Sequence, residues 1–195
     1  MAIEHKIWLT ALPSTKPGRR SRRPGANFMR YPLFLDLAEQ KVVVVGGGPV
    51  ATRKIRTLLS TGATVTTISP EATATIRQWA QTKRICWTRH PYRAGDLRQA
   101  CLVVAATDSE KTNRRVCAEA KRRRLLVNCI APPSAGNFIV PSVVRRGGIT
   151  IAISTGGASP AFAKRLRRDL ERFFRRGYPA LLKQMAVIRK RYHDE

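Results

Sequence analysis

The residues best equipped for chemistry in this chain form one short pattern, Gly46-x-Gly48-x-x-Ala51. Backbone recognition of a phosphate needs glycine at this spacing. The first allows a tight turn, the second lets the main chain approach a pyrophosphate, and the small third residue keeps a helix close to its sheet. Gly47 sits between the two, and Pro49 follows where a first helical turn tolerates a missing N–H. Free N–H groups and the helix dipole then favour an anion at that turn. Two more clusters fall at expected strand ends, Ser69-Pro70-Glu71 and Thr107-Asp108. Asp108 is the only carboxylate both at a strand end and beside the expected ligand. It suits a proton acceptor or a cap for the next helix, and the sequence leaves both open. Asn113 and Asn128 suit either a ligand or a loop. His5, His90 and His193 have no partners at a recognisable spacing, and there is no nucleophile elbow, metal-ligand cluster or Walker motif.

The elements that must position these residues are legible in the hydrophobic pattern. Val42–Val45 is too β-branched for a helix and too apolar for an edge strand, so it predicts a strand buried on both faces. Ala51, Ile55, Leu58 and Leu59 recur at helical spacing, and 64–68 supplies a second strand. The pattern then predicts a helix over 72–81, strands over 84–88 and 101–106, a helix over 110–123 capped by Ser109, and a strand over 125–128. Strands alternating with helices predict an α/β, Rossmann-type doubly wound parallel sheet. Pro132-Pro133 ends that regime. Two extended segments, 138–144 and 149–154, are expected to be joined by Arg145-Arg146-Gly147-Gly148. Ser159 with Pro160 opens a helix expected over 161–175, and a last amphipathic helix is expected over 178–192. The expected organisation is a disordered N-terminal extension over 1–28, with Met29 as a natural start, a nucleotide-binding domain over 29–131, a strand-rich dimerisation segment over 132–158, and a small helical domain over 159–195.

The chain has 195 residues, 43% of them hydrophobic, enough to fill a core. Its apolar runs are far shorter than the roughly 18 residues that suggest a membrane span. Cys86, Cys101, Cys117 and Cys129 form no C-x-x-C pair and read as reduced thiols of a cytoplasmic protein, with no metal site expected. Lys and Arg number 37 against 12 acids, a formal charge of +25. Such an excess attracts polyanions and says nothing of fold. Nucleic acid is disfavoured as the partner, because neither a reading helix nor an aromatic stacking platform is present. The ribose-binding acid expected about 20 residues after the glycines is missing; Ser69-Pro70 stands there and Glu71 is the nearest carboxylate. The motif alone therefore leaves NAD and NADP undecided.

Taken in order, Tyr31-Pro-Leu-Phe-Leu-Asp-Leu37, Val45-Gly-Gly-Gly-Pro-Val-Ala-Thr-Arg-Lys54, Ala105-Ala-Thr-Asp108 with Asn113, Asn128, Asn137-Phe-Ile-Val-Pro-Ser142 and Ile153-Ser-Thr-Gly-Gly-Ala-Ser-Pro160 resemble the precorrin-2 dehydrogenase family, the N-terminal module of sirohaem synthases. The resemblance runs from about residue 29 to the C-terminus. It implies NAD-dependent oxidation of precorrin-2 to sirohydrochlorin by a homodimer, and in bifunctional members Fe²⁺ insertion as well. It implies that Asp108 matches the family's essential aspartate. It implies cofactor contacts at Gly46, Gly47, Gly48, Pro49, Val50, Ser69, Pro70, Glu71 and Thr107, and substrate contacts at Asn113, Asn128, Asn137 and Ser159. The methyltransferase domain fused to some members is expected to be absent. The sequence departs from the pattern at Ala131, where members commonly carry an aspartate, at Asn137, where some have serine, and in residues 1–28.

The expected substrate suits the composition, since a basic protein attracts a polycarboxylate tetrapyrrole. Arg145, Arg146, Lys164 and Arg165 are candidates for its carboxylates, and the turn at Gly156-Gly157 before Ser159 for a further anion contact. The rival reading is a regulatory domain that senses NAD(H) without catalysis.

Overall fold

A computed structural model of the chain describes residues 30–174 together with 178, 184–185 and 188–189. The expected disorder of 1–28 lies outside the described residues, and so does most of the expected helix over 178–192. The chain divides into two compact units, Met1–Pro32 and Leu33–Glu195. Every strand and helix assigned among the described residues belongs to the second.

Five strands, β1 (Lys41–Val45), β2 (Thr64–Ile68), β3 (Cys86–Thr88), β4 (Leu102–Ala105) and β5 (Leu126–Cys129), form one parallel sheet in the order β3-β2-β1-β4-β5. β1 lies at its centre, which is why its four valines are all fully buried. Side chains alternate between the two faces of a strand, and the sheet accordingly has two cores. Val42, Val44, Val65, Leu102 and Val104 pack with Ile55 of helix α1 (Pro49–Leu59) and with Ile76 and Trp79 of helix α2 (Ala74–Gln81). Val43, Val45, Ile68, Val103, Ala105 and Val127 pack with Val116, Cys117 and Ala120 of helix α3 (Glu110–Arg122) and with Tyr92 and Leu97. The β3–β4 crossover carrying those last two is a run of turns rather than a helix. Helix α2 starts two residues later than the pattern suggested, because Thr73 accepts the Ile76 N–H and sets the cap there.

Beyond the sheet, β6 (Ser142–Arg146) and β7 (Ile149–Ile153) form a separate antiparallel hairpin. Two sequence expectations are corrected here. Residues 138–141 are not strand: Pro141 has no N–H to contribute, and the ladder begins immediately after it. The connecting turn is Gly147-Gly148 alone, with Gly147 at φ +57°, while Arg145 and Arg146 pair with Thr150 and Ile149. Val144 and Ile153 pack with Ala163, Leu166 and Leu170 of helix α4 (Pro160–Phe173).

Candidate functional site

The sheet order reverses between β1 and β4. After β1 the chain moves outward to β2 and β3, then returns to the other side of β1. Ligands of open α/β sheets bind beyond the carboxyl ends of the strands at such a point. The three glycines lie there and do different things. Gly46 has φ +126°, and a Cβ built on it would lie 2.3 Å from the Ala106 carbonyl oxygen, so the β1 turn touches the end of β4. Gly47 closes against the next loop, its would-be Cβ 1.9 Å from the Glu71 carbonyl oxygen, and its own carbonyl accepts the Thr73 N–H at 2.9 Å. Gly48 faces open space, with nothing among the described residues within 4 Å of its would-be Cβ. It is the N-cap of α1, no side chain caps that helix, and no acid stands in its first turn. Pro49 and Val50 follow on the surface. Ser69 adds a buried hydroxyl, 2.6 Å from the would-be Gly47 Cβ, with no hydrogen-bond partner among the described residues. An uncapped helix N-terminus with open space in front of it, which a side chain at residue 48 would fill, fits a dinucleotide pyrophosphate.

Asp108 stands at the end of β4, across from this turn. The open question of its role as a cap is resolved against capping: Ser109 is the N-cap of α3 and its hydroxyl accepts the Thr112 N–H at 3.2 Å. Asp108 is exposed, and its carboxylate has no hydrogen-bond or ion-pair partner among the described residues. The residues on either side of it are held tightly. Thr107 donates its N–H (3.1 Å) and its hydroxyl (2.8 Å) to Asn113 Oδ1 and accepts from Asn113 Nδ2 at 3.0 Å. The single Thr107 hydroxyl hydrogen is shared with the Ser109 carbonyl at 3.1 Å, which also accepts the Asn113 N–H.

The residues expected to touch substrate make the following bonds within the protein. Asn113 is fully buried, and its remaining Nδ2 hydrogen goes to the Ala131 carbonyl at 3.0 Å, so its side chain has no group left for a ligand. Asn137 lies against the start of β5, donating to the Leu125 carbonyl (2.9 Å) and accepting the Val127 N–H (2.7 Å). That is the end of the strand away from the glycine turn, and there the amide extends the sheet edge. Ser159 caps α4 by accepting the Phe162 N–H at 3.1 Å. Asn128 is buried on β5 and donates to the Phe138 carbonyl at 3.2 Å, while its Oδ1 lacks a partner among the described residues. Sequence spacing cannot tell a ligand contact from such loop-fastening bonds, because the same amide chemistry serves both.

One polar cluster was not anticipated. Tyr92, from the irregular crossover, donates a very short hydrogen bond (2.5 Å) to Glu119 of α3, and Glu119 also accepts from the Gly95 N–H and from Arg123. Burial alone would raise the Glu119 pKa. The bonds from Tyr92, Gly95 and Arg123 outweigh it and hold the carboxyl below its usual value. Burial and the same bond push the Tyr92 phenol well up. The cluster fastens the crossover to α3. Cys117 and Cys129 are buried together, and burial with the neighbouring thiol pushes Cys117 up to about 12, so Cys117 does not mark a reactive thiol. Lys54 is lowered by burial and by the adjacent Arg53. Among the described residues no group of three or more His, Cys, Asp or Glu is placed to hold a metal ion, and no helix is long and apolar enough to cross a membrane.

Fold and site together define a Rossmann-type dinucleotide-binding protein with a free aspartate across from its glycine turn. Comparison with known proteins narrows the class. Residues 33–142 match a family described as NAD(P)-binding, and residues 146–172 match the central region of sirohaem biosynthesis proteins. The precorrin-2 dehydrogenase of Bacillus subtilis is 33% identical over 160 residues, 82% of this chain and 98% of that one. Siroheme synthase 1 of Serratia proteamaculans is 36% identical over 164 residues, 84% of this chain but 34% of that protein. Among solved structures, SirC, a precorrin-2 dehydrogenase, superposes with a TM-score of 0.70 at 34% identity, covering 79% of this chain and 76% of that one. The chain belongs to the precorrin-2 dehydrogenase family. It spans nearly the whole of the Bacillus relative and about a third of the Serratia synthase.

Proposed function

We propose that this protein oxidises precorrin-2 to sirohydrochlorin with NAD⁺ as the acceptor. The observation that carries the reading is the pairing, across one switch point, of an open glycine turn with an unpartnered carboxylate at Asp108. Oxidation of a carbon–nitrogen macrocycle by two electrons removes a hydride and a proton. NAD⁺, when bound, supplies the hydride acceptor. The chain must then hold the dinucleotide and accept the proton. Gly46–Gly48, with Pro49, Val50 and the 69–71 loop, would hold it: the bare N-terminus of α1 meets the pyrophosphate. Asp108 takes the proton at a carboxylate oxygen, a role for which a side chain without internal partners is suited. NAD over NADP is supported by the dehydrogenase relatives rather than by a ribose-binding acid.

The domain division expected from the sequence, a homodimer and a cytoplasmic setting belong to the same proposal. Both edges of the β6–β7 hairpin are unpaired among the described residues, and Phe162 and Phe173 of α4 are 59% and 63% exposed, which supports a second copy covering them. Four free cysteines support a reducing compartment.

The test is the absorbance of precorrin-2 with NAD⁺ and the purified protein, wild type against Asp108→Asn. Formation of sirohydrochlorin and NADH is expected, with kcat about 10²-fold lower in the variant and NAD affinity retained. A protein that binds NAD(H) and leaves precorrin-2 unchanged is a sensor, and the proposal fails. Adding Fe²⁺ to the same cuvette tests the iron insertion that the siroheme synthase relatives bring into view: sirohaem formed faster than without protein establishes it.

A further inference from the structure

We infer that Asn113 is a positioning residue for Asp108, an inference that rests on the proposed role of that aspartate. The sheet ladder between β4 and β5 ends at the pair Ala105 and Cys129, with one more bond from the Ile130 N–H to the Ala105 carbonyl at 3.0 Å. Past that point the two chain ends, Thr107 on one and Ala131 on the other, have no ladder to hold them. The Asn113 amide takes its place. Its Oδ1 and Nδ2 meet the N–H and carbonyl of Thr107 as a neighbouring strand's peptide would, and the second Nδ2 hydrogen reaches the Ala131 carbonyl. An amide is required for this. A carboxylate has acceptors only and would face two carbonyl oxygens.

The consequence falls on the residue between the fastened points. Thr107 is held by Asn113, and Ser109 is held as the cap of α3 with its carbonyl bonded to both the Thr107 hydroxyl and the Asn113 N–H. Asp108 is thus the one residue of the turn with a fixed backbone on both sides and a free side chain. A general base needs that combination: an aimed carboxylate whose lone pairs are not already engaged. If Asn113 served folding alone, its effect on turnover would not depend on what stands at residue 108.

Asn113→Asp, nearly isosteric, removes both donated bonds. Amide hydrogen exchange needs no substrate and reads the pinning directly. At Thr107, whose N–H bonds to Asn113 Oδ1, exchange should quicken at least about tenfold in the variant as the carboxylate is pushed off the two carbonyl oxygens it would face, while Val42–Val45 stay protected; unchanged protection at Thr107 overturns the inference whatever the reaction. In turnover, Asn113→Asp should lower kcat about tenfold or more, leave NAD affinity within about threefold by calorimetry, and change nothing further in an Asp108→Asn background. The same fractional loss in that background as in wild type makes Asn113 merely structural and overturns the inference. Should Asn113→Asp fail to fold, Thr107→Val removes only the hydroxyl bonds, and its smaller kcat loss must vanish in the Asp108→Asn background too. Wild-type protein without turnover, or Asp108→Asn at full rate, counts instead against the role of Asp108, and the exchange result still decides whether Asn113 pins the turn.

Discussion

Two glycines two positions apart should respond to substitution in opposite ways. Gly48 has φ −79° and ψ −174°, extended backbone that any residue adopts, and nothing among the described residues lies within 4 Å of a Cβ there. Gly48→Val should therefore fold, at a cost of about 1 kcal/mol or less for an apolar N-cap. In a domain of this size that lowers Tm by about 2–4 °C. The isopropyl group would fill the space in front of the α1 N-terminus. Keeping a pyrophosphate from one backbone N–H forfeits a charge-assisted bond of about 1.5–3 kcal/mol, so NAD affinity should drop roughly 10- to 100-fold. At Gly46 the balance reverses. A φ of +126° is a region nearly exclusive to glycine, costing another residue about 1–3 kcal/mol. A Cβ 2.3 Å from a backbone oxygen adds overpacking of about 1–3 kcal/mol, because Ala106 cannot rotate away. Gly46→Ala should thus lose about 2–6 kcal/mol of a typical total of 5–15. Urea unfolding and NAD calorimetry on both variants read the contrast. A Gly48→Val protein with wild-type NAD affinity, or a Gly46→Ala protein with wild-type stability, would refute the assignment of roles.

The Tyr92–Glu119 bond should carry a pH signature. Glu119 has a folded pKa below its usual 4.5, so its contribution is present above that value and lost as pH falls through the folded value. Tyr92→Phe should cost about 1.5–3 kcal/mol at neutral pH, the gap narrowing in acid; a gap independent of pH between neutral and acid unfolding series contradicts the ionised pairing. Arg145 and Arg146 are exposed on β6, and if they steer a polycarboxylate substrate, screening over a Debye length of about 8 Å at physiological salt should raise KM several-fold as salt rises, with kcat steady. Arg145→Glu with Arg146→Glu should reproduce the high-salt KM at low salt, and a KM indifferent to both leaves these arginines out of capture.

Most of the sheet was legible because each strand announces itself locally. Four β-branched valines in a row have one comfortable home, a central parallel strand, and glycines followed by Pro49 allow one continuation, a helix starting there. The crossover over residues 92–99 was legible only as an irregular or helical connection, and the structure makes it a run of turns. It keeps its place through Tyr92 reaching Glu119, residues 27 apart, and such a bond leaves no periodic trace. Residues 138–141 failed for a related reason. Their β-branched content suggested strand, but a ladder also needs N–H groups and a partner, and Pro141 withholds the first.

The site divides along the same line. The placement of Gly46, Gly48 and Asp108 at strand ends could be read in advance from the glycine spacing and the hydrophobic runs, while the choice for Asp108 between cap and proton acceptor stayed open. The roles of Asn113, Asn137 and Ser159 could not be read, because an amide or hydroxyl shows its role only through the groups that it meets. Asn113 meets Thr107 and Ala131, Asn137 meets both ends of Leu125–Val127, and Ser159 meets its own helix. This also explains why the carboxylate is the residue left free. A turn with Ser109 as its cap and Asn113 as its brace has every backbone demand met without Asp108. An alanine at 108 would leave those bonds intact. The fold therefore makes no demand for a carboxylate at residue 108.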